Sequence, residues 1–593
     1  MCGIIAVLSE TKANEITIKG IRQLQNRGYD SFGVSYYKDG EIITIKEILE
    51  NHHNPIDLVS NKIKNIKFKN IISHTRWATN GDKNIKNSHP HNSHNNKISI
   101  VHNGIIENYL ELREFLFSKN INGYSDTDSE VIANLIAYHY QLLGNIEKAI
   151  NKTNTLLKGS WAIVIMCKDY ENNLYALSNK IPLLVGFNKD RVIFSSEVSG
   201  FNNYISTYFV LPENKLVIGS LDKKTASINN LYDYDIKTIK SDNTDLVLPE
   251  PYTFWLEKEI NDQYLYSLKL KSGILEKINN ILESKINQFK LINNIILLGC
   301  GTSFHAGLLG KHYLRETNFF YTIQCINASN FSMADVPKIG STCVIVLSQS
   351  GETKDLIECL NILPKNIFTL GIINSEESTI NRKCDISLYV NVGREVSVAS
   401  TKSFFGQVLF LQIIANFYSK FNKCKVINYT TLDVDIKNTL TYAKNNLTTY
   451  IDSLIAPSMF ILGKGKFYYI AKEAALKIKE ITYIHAEGYS GSALKHGPYS
   501  LLKKGFPVIM FIMDDMYQHL MINCYNQIIS RGAFPLVITN NKNLFVKNKI
   551  IIPSNNAELH SIIVIQYISY LIGLKLNLSI DRPRNLAKCV TTD

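Results

Sequence analysis

Ile295-Ile296-Leu297-Leu298-Gly299-Cys300-Gly301 has an echo further along the chain in Met459-Phe460-Ile461-Leu462-Gly463-Lys464-Gly465. In each copy a short apolar run reaches a G-x-G turn and passes into a helix-forming stretch. Four consecutive apolar residues without polar alternation describe a strand covered on both faces. Further runs at 344–347, 367–373 and 507–513 alternate with long helical patterns, which predicts parallel βαβ units. The repetition predicts two copies of one α/β unit of about 140 residues each, placed at 282–425 and 450–585. A linker and lead-in helix at 241–281 precede them, opening in the polar, turn-forming Lys240-Ser241-Asp242-Asn243-Thr244-Asp245. Residues 586–593 follow as a tail. Residues 2–240 read differently, as α+β. Short strands at 3–8 and 97–101 mix with helical stretches such as 129–139, which has a Ser/Asp-rich start.

A chain of 593 residues, 45% hydrophobic and 20% charged, has a multidomain globular composition. The net charge of +12 comes largely from Lys/Asn-rich stretches such as Asn61-Lys62-Ile63-Lys64-Asn65, and no concentrated basic block suggests a nucleic-acid stripe. The ten cysteines form no C-x-x-C pair and no metal spacing, which points to reduced thiols in the cytosol. The first residues lack the basic region and cleavage site of a secretory signal. Residues 561–576 are apolar but interrupted by Gln566, Ser569 and Lys575, and read as a buried helix and not a membrane span.

Several motifs can carry chemistry. Gly299-Cys300-Gly301 lacks the third glycine of a dinucleotide fingerprint, since Phe304 stands there. Asp514-Asp515 after an apolar strand resembles a pyrophosphoryl-ribose site, but Met516-Tyr517-Gln518-His519 follows in place of a Gly/Thr loop, so an ordinary strand end is the better reading. The strongest anion signal is Ser348-Gln349-Ser350-Gly351-Glu352-Thr353, where a buried strand ends in hydroxyls ahead of a helix. Thr302-Ser303 offers a similar loop. Either could be no more than a helix N-cap, but two such loops at successive strand ends mark where an open parallel sheet binds ligands. On the helix at 469–483, Glu473, Lys477 and Glu480 share one face, lining either solvent or a cleft. His485 and His496 follow.

At the other end, Met1-Cys2-Gly3-Ile4-Ile5-Ala6-Val7 reads on its own as the start of a buried strand. Removal of Met1 would give Cys2 a thiol and a free α-amine together, the arrangement of an N-terminal nucleophile. Asn103 with the N–H of Gly104 is a neutral donor pair suited to an oxyanion. Arg76 and Asp128 could hold the carboxylate and ammonium of an amino acid.

Taken in order, Cys2-Gly3-Ile4, Arg27-Gly28-Tyr29-Asp30-Ser31, His74-Thr75-Arg76-Trp77-Ala78-Thr79, His89-Pro90-His91, His102-Asn103-Gly104-Ile105-Ile106-Glu107-Asn108, Ser348 to Thr353, Val398-Ala399-Ser400-Thr401-Lys402 and Arg582-Pro583-Arg584-Asn585-Leu586-Ala587-Lys588 closely resemble the glutamine–fructose-6-phosphate aminotransferase (isomerising) family. The resemblance runs from Cys2 to Asp593. It implies a class II glutamine amidotransferase domain with the N-terminal-nucleophile αββα sandwich, followed by two SIS-type αβα domains with parallel sheets. It also implies a cytoplasmic homodimer that needs no metal or organic cofactor, with glutamine and fructose 6-phosphate as partners and neither nucleic acid nor membrane. Cys2 would attack glutamine, with Asn103 and Gly104 on the oxyanion and Arg76, Trp77, Thr79 and Asp128 binding the substrate. Thr302, Ser303, Ser348, Gln349, Ser350, Thr353, Val398 and Ser400 would bind the sugar phosphate. His496 would open the ring, Lys588 would form a Schiff base, and Glu480 backed by Lys477 would move the proton. Trp77, Ala587 and Val590 would line an ammonia channel.

Three residues depart from the family pattern: Asn80 for a usual His, Asn330 for a usual acid and Ala493 for a usual Glu. Amidophosphoribosyltransferase and asparagine synthetase share the glutaminase domain, but the nucleotide or pyrophosphoryl loops they need are not found. A non-catalytic SIS-domain sugar-phosphate sensor is the alternative, and it would have no reason to keep Cys2, Glu480, His496 and Lys588 together.

Overall fold

A computed structural model describes residues 2–25, 27–50, 53–77, 81–239 and 249–589. The turn-forming stretch at 240–245 lies outside them. The chain divides into two compact units, Met1–Val247 with Ala587–Asp593, and Leu248–Leu586.

Among the described residues the first unit holds two antiparallel sheets, one of eight strands and one of six. The strand Gly3–Ser9 is central in the larger, between Arg191–Ser195 and Asn70–Arg76. Its side chains alternate between two cores. Ile4, Ala6 and Leu8 pack between the sheets with Val101, Ala162 and Val164. Ile5 and Val7 pack on the other face, against Ile16 and Ile21 of the helix Ala13–Gln23 and Ile56 and Val59 of the helix Pro55–Ile63. Burial on both faces explains why the run is apolar without alternation. The smaller sheet repeats the device. Ile98, Ile100, Ile163 and Ile165 turn away from the inter-sheet core, towards Ile132, Leu135 and Ile136 of the helix Asp128–Leu143. The result is a four-layer αββα sandwich.

The second unit holds two parallel sheets of five strands each. The first runs Thr322–Asn327, Ile292–Gly299, Ser341–Ser348, Phe368–Ile373, Ile386–Tyr389. The second runs His485–Ser490, Ser458–Gly463, Pro507–Phe511, Phe534–Thr539, Lys549–Ile551. Both have the strand order 2-1-3-4-5. In that order the chain reverses direction between strands 1 and 3, which opens a crevice at their carboxyl ends. The crevice of the first sheet lies at Gly299–Ser303 and Ser348–Thr353.

The helix Ala557–Lys575 is long and apolar enough to cross a membrane, but 89% of its apolar window is buried. Leu559, Ile562, Ile563 and Ile565 join the same core as Ile470, Ala474 and Ile478 of the helix Lys466–Thr482. It is a core helix.

Candidate functional site

Each unit carries its own polar centre. In the first, the Cys2 thiol sits at the start of the central strand and is half-buried. The Trp77 N–H donates to Cys2 Sγ at 3.2 Å. The Cys2 carbonyl accepts from Arg27 Nε at 3.0 Å and Asn103 Nδ2 at 3.1 Å. Arg27 is in turn paired with Glu197 at 2.5 Å. Ile4 N–H donates to Ser196 Oγ at 2.9 Å and Gly3 N–H to Thr75 Oγ1 at 3.1 Å. The first residues are thus held by side chains from four other segments, and Asn103 reaches the backbone carbonyl of the residue that carries the thiol.

Asn103 and Gly104 lie on the strand Ile98–Ile106. Gly104 has φ +127°, and a Cβ there would come within 2.0 Å of the Ser160 carbonyl, so only glycine fits. Arg76 ends the strand beside Gly3–Ser9, its guanidinium donating to the Asp82 and Gly81 carbonyls at 3.2 and 3.4 Å. Asp128 begins the helix Asp128–Leu143, is buried, and accepts from Ile106 N–H at 2.9 Å. Trp77 is half-buried. Thr79, Asn80 and Val590 lie outside the described residues. Ala587 and Lys588 belong to this unit.

Around Asn103 stand four buried imidazoles, His74, His89, His91 and His102. The rings of His74 and His89 lie 4.0 Å apart and those of His89 and His91 4.6 Å. Burial pushes all four down, His74 to about 3. Among the described residues no group of three or more His, Cys, Asp or Glu side chains is arranged to hold a metal ion.

In the second unit the hydroxyl loops occupy the crevice between strands 1 and 3, and neither acts as a side-chain N-cap. Cys300 and Thr353 are the N-cap residues of the helices Gly301–Glu316 and Lys354–Ile362, and neither makes a side-chain capping bond. Thr353 Oγ1 instead meets Ser348 Oγ at 3.1 Å. Ser348 Oγ accepts from Gly351 N–H at 2.9 Å, and Ser350 Oγ from Glu352 N–H at 3.1 Å. Gly351, at φ +68°, lies so close to Ser378 that a Cβ would fall 2.0 Å from its Oγ. Ser303 and Gln349 are half-buried in the same loops.

Thr302 faces the second sheet's first helix. Its Oγ1 donates to Glu473 Oε1 at 3.1 Å and accepts from Lys477 Nζ at 3.0 Å. Lys477 is fully buried, 2.5 Å from Glu480 and 3.6 Å from Glu473. Burial opposes its charge, but Glu480 and Glu473 outweigh burial and hold its pKa above the ordinary lysine value. Glu473, Lys477 and Glu480 therefore form no solvent-facing row. Glu473 and Lys477 are sealed between helices, and Glu480, with a fifth of its side chain exposed, is the member open to solvent.

Val398 and Ser400 lie on a loop fixed by two buried acids. Glu259 accepts from Val396 and Ser397 N–H. Glu395 accepts from Thr401 N–H at 3.0 Å and Ser403 N–H at 3.1 Å. Val398 N–H donates to the Asp581 carbonyl at 3.0 Å. His496 is exposed at the end of the 3-10 turn Gly491–Lys495.

His305, which stands in none of the motifs above, also joins the Glu473–Lys477 cluster, its Nδ1 2.7 Å from Glu473 Oε2. It stands one turn beyond Thr302 on the same helix, a spacing that offered a signal. Arg27, Ser196, Glu259 and Glu395 anchor these sites without any sequence signal for that role. No local pattern marks such long-range contacts.

Comparison with known proteins decides the family. The SIS domain family matches residues 289–416 and 455–572, and the Glutamine amidotransferase domain family matches 74–203. A probable glutamine–fructose-6-phosphate aminotransferase [isomerizing] of Acanthamoeba polyphaga mimivirus is 37% identical over 616 residues, covering 100% of both chains. The chain belongs to the glutamine–fructose-6-phosphate aminotransferase family. Other members, from Aquifex aeolicus and Bacillus subtilis, are 33% and 31% identical, again over 100% of both chains. Among solved structures, the C-terminal domain of glucosamine-fructose-6-phosphate aminotransferase from Francisella tularensis is 25% identical with a TM-score of 0.50, covering 56% of this chain and 99% of that one. Both SIS matches fall on the two parallel sheets, and the amidotransferase match falls on the αββα unit.

Proposed function

We propose that this chain converts glutamine and fructose 6-phosphate to glucosamine 6-phosphate and glutamate, the first step of amino-sugar (UDP-GlcNAc) biosynthesis. The observation that carries the reading is that one chain joins two centres: a cysteine at position 2 whose carbonyl accepts from Asn103 and whose thiol accepts from the Trp77 N–H, and a buried Lys477 holding Glu480 and Thr302.

At the first centre, Arg76 and Asp128 hold the glutamine carboxylate and ammonium, and Trp77 and Thr79 complete the glutamine-binding set. With Met1 removed, the α-amine of Cys2 takes the thiol proton. The sulfur attacks the side-chain carbonyl carbon, and the displaced electron pair settles on oxygen between Asn103 Nδ2 and the Gly104 N–H. Collapse of this intermediate expels ammonia, which leaves with the proton from the amine. Water then cleaves the thioester to glutamate. Ammonia passes along a channel that includes Trp77, Ala587 and Val590.

At the second centre, Thr302, Ser303, Ser348, Gln349, Ser350 and Thr353 hold the phosphate, while Val398 and Ser400 hold the sugar. His496 assists ring opening and Lys588 forms an imine with C2. Ammonia replaces the lysine. Glu480 removes a proton from C1 and returns one to C2, which turns the ketose imine into the aldose amine. Lys477 fixes the Glu480 carboxylate for this transfer. The resemblance extends the proposal to a cytoplasmic homodimer acting without nucleic acid, membrane, metal or organic cofactor.

The test is incubation with both substrates and detection of hexosamine phosphate. Cys2→Ala should abolish glutamine-dependent synthesis yet leave conversion of fructose 6-phosphate to glucose 6-phosphate intact, because isomerisation needs no nitrogen. Loss of both activities in a folded variant would contradict the division of labour.

A further inference from the structure

An asparagine can serve an oxyanion only with its nitrogen turned towards the reacting atom. Its carboxamide has two nearly isosteric ends, so the environment must choose between them. At Asn103, Nδ2 faces the Cys2 carbonyl at 3.1 Å and Ser196 Oγ at 3.1 Å. The other end, Oδ1, lies 3.1 Å from Nε2 of His74.

His74 is wholly buried on the strand Asn70–Arg76, two residues before Arg76 and directly opposite Ile4 on the Cys2 strand. Its Nε2 meets two acceptors, the His102 carbonyl at 3.0 Å and Asn103 Oδ1. Its Nδ1 is buried with no partner among the described residues. A neutral imidazole has one proton. Two acceptors face Nε2 and none faces Nδ1, so the proton belongs on Nε2. Burial keeps the ring neutral, with its pKa pushed down to about 3. His74 is held in turn by the His89 ring, 4.0 Å away, and the His102 backbone is fixed by its own ring, whose Nδ1 meets Ser129 Oγ at 2.9 Å.

We infer that His74 is a positioning residue of the amidotransferase centre, donating its Nε2–H to Asn103 Oδ1 and so locking the carboxamide with Nδ2 towards the developing oxyanion. The bond also draws electron density towards Oδ1 and strengthens Nδ2 as a donor. His74 touches no substrate and acts through Asn103. The inference rests on the glutaminase reading of Cys2 and Asn103 proposed above.

The test compares His74→Phe, which fills the space without a donor, with His74→Gln, which keeps an N–H. Glutamine hydrolysis gives kcat and KM, and iodoacetamide alkylation of Cys2 gives thiol reactivity. Losing one oxyanion donor costs about 10²–10³ in kcat, so misorienting it should lower kcat of His74→Phe about 10- to 100-fold. KM should stay within about threefold, because the ground-state amide draws little on the oxyanion donors. Alkylation should change less than about twofold, since displacement at a saturated carbon forms no oxyanion. His74→Gln should recover most of kcat. In an Asn103→Ala background, His74→Phe should cost nothing further, the non-additivity expected of two residues acting as one. His74→Ala carries the same expectations if the phenylalanine variant fails to fold. Unchanged kcat, alkylation falling in parallel with kcat, or additive losses with Asn103→Ala would each overturn the inference. Wild-type protein that hydrolyses no glutamine would overturn the proposed function, and this inference with it. Wild-type activity lowered by Asn103→Ala but not by His74→Phe would overturn this inference alone.

Discussion

The two SIS lobes share one strand order and one strand–turn–helix opening, yet their crevices have opposite fates. In the first lobe the strands lead into Thr302, Ser303, Ser348, Ser350 and Thr353, and the hydroxyls of Ser348, Ser350 and Thr353 bond within their own loop. In the second, the corresponding ends carry Lys464-Gly465-Lys466 and Asp514-Asp515-Met516-Tyr517. The Tyr517 ring lies where a side chain at 465 would go, 2.5 Å from an ideal Cβ. Lys464 bonds Ser492 Oγ at 2.8 Å, and Lys466 pairs with the buried Glu558 at 2.9 Å. The second lobe closes its own crevice with its own side chains. What it contributes is the flank of the next helix, where Glu473 and Lys477 reach Thr302 of the first lobe. Duplication supplied two equal scaffolds. On the proposed function, the residues at the strand ends make one a binding site and the other a catalytic wall.

The largest expected effect tests that wall. Glu480→Gln keeps the shape and removes the proton acceptor, so hexosamine synthesis should fall about 10³-fold. KM for fructose 6-phosphate should change little, because the proposed phosphate-binding loops belong to the other lobe. Steady-state kinetics with both substrates would show it. A rise in KM with kcat preserved would return Glu480 to binding and erase the distinction.

Next comes the seal of the second crevice. Glu558 accepts from Tyr313 Oη at 2.7 Å and Gln412 Nε2 at 3.0 Å besides its pair with Lys466. Lys466→Met leaves a buried carboxylate short of its cation. Because a third of the Lys466 side chain is exposed, we expect about 2–3 kcal/mol of destabilisation, below the usual range for a fully buried pair. The sign of the pH dependence follows. In the wild type burial raises the Glu558 pKa, but Lys466 and Tyr313 outweigh it and hold it below the ordinary glutamate value. Its stabilising contribution is present above that ordinary value and fades as pH falls through the depressed one. In the variant burial acts with less opposition, and the carboxyl is more readily protonated in the folded state. The deficit should therefore shrink between about pH 7.5 and 4.5. Thermal unfolding of both proteins at the two pH values measures it. A deficit that widens with acid would mean that Lys466 is not what keeps Glu558 charged.

The contrast between the lobes also marks where the sequence was legible. Strands buried on both faces announce themselves as unbroken apolar runs, so 295–298 and 459–462 mark the parallel sheets, found at Ile292–Gly299 and Ser458–Gly463. Turn glycines follow from the same logic. The αββα unit was not legible from strand patterns alone, because Ile4 to Leu8 looks the same whether its second face meets a helix or another sheet. It rested on Cys2 and the motifs that travel with it. The helical period placed Glu473, Lys477 and Glu480 on one face, but whether that face meets water or Thr302 is a tertiary fact. Asp514-Asp515 read as a plain strand end. Nothing in the residues themselves told that Tyr517 would fold back over Gly465. His74 stood in a quoted motif, but its partner Asn103 is fixed by strand register and not by sequence proximity.

A smaller effect tests the open crevice. Ser348→Ala and Thr353→Val each remove a hydroxyl from the proposed phosphate loop, and hydrogen bonds to charged groups contribute about 1.5–3 kcal/mol. Each should raise KM for fructose 6-phosphate about tenfold, with kcat for glutamine hydrolysis unchanged. An unaltered KM in both variants would leave the first crevice with no better claim to the phosphate than the second.

The smallest expected effect is the most direct comparison. Asp514 and Asp515 stand in the second lobe where the strand registers put Ser350 and Gly351 in the first, beyond strand 3, and both are exposed. Asp515 Oδ1 accepts from Tyr517 N–H at 2.8 Å, a bond that asparagine can keep. If the second crevice is sealed, Asp514→Asn with Asp515→Asn only removes two solvent-facing charges. Salt screens such charges over about 8–10 Å, so KM and kcat for fructose 6-phosphate should stay within about twofold. If instead the crevice receives a phosphate, the two acids repel it, and their neutralisation should strengthen binding. Titration calorimetry of the double variant with fructose 6-phosphate separates the cases. One equivalent per chain at unchanged affinity keeps the division between a binding lobe and a catalytic one. A second equivalent, or a several-fold fall in KM, would show that Tyr517 yields and that both copies of the fold still bind.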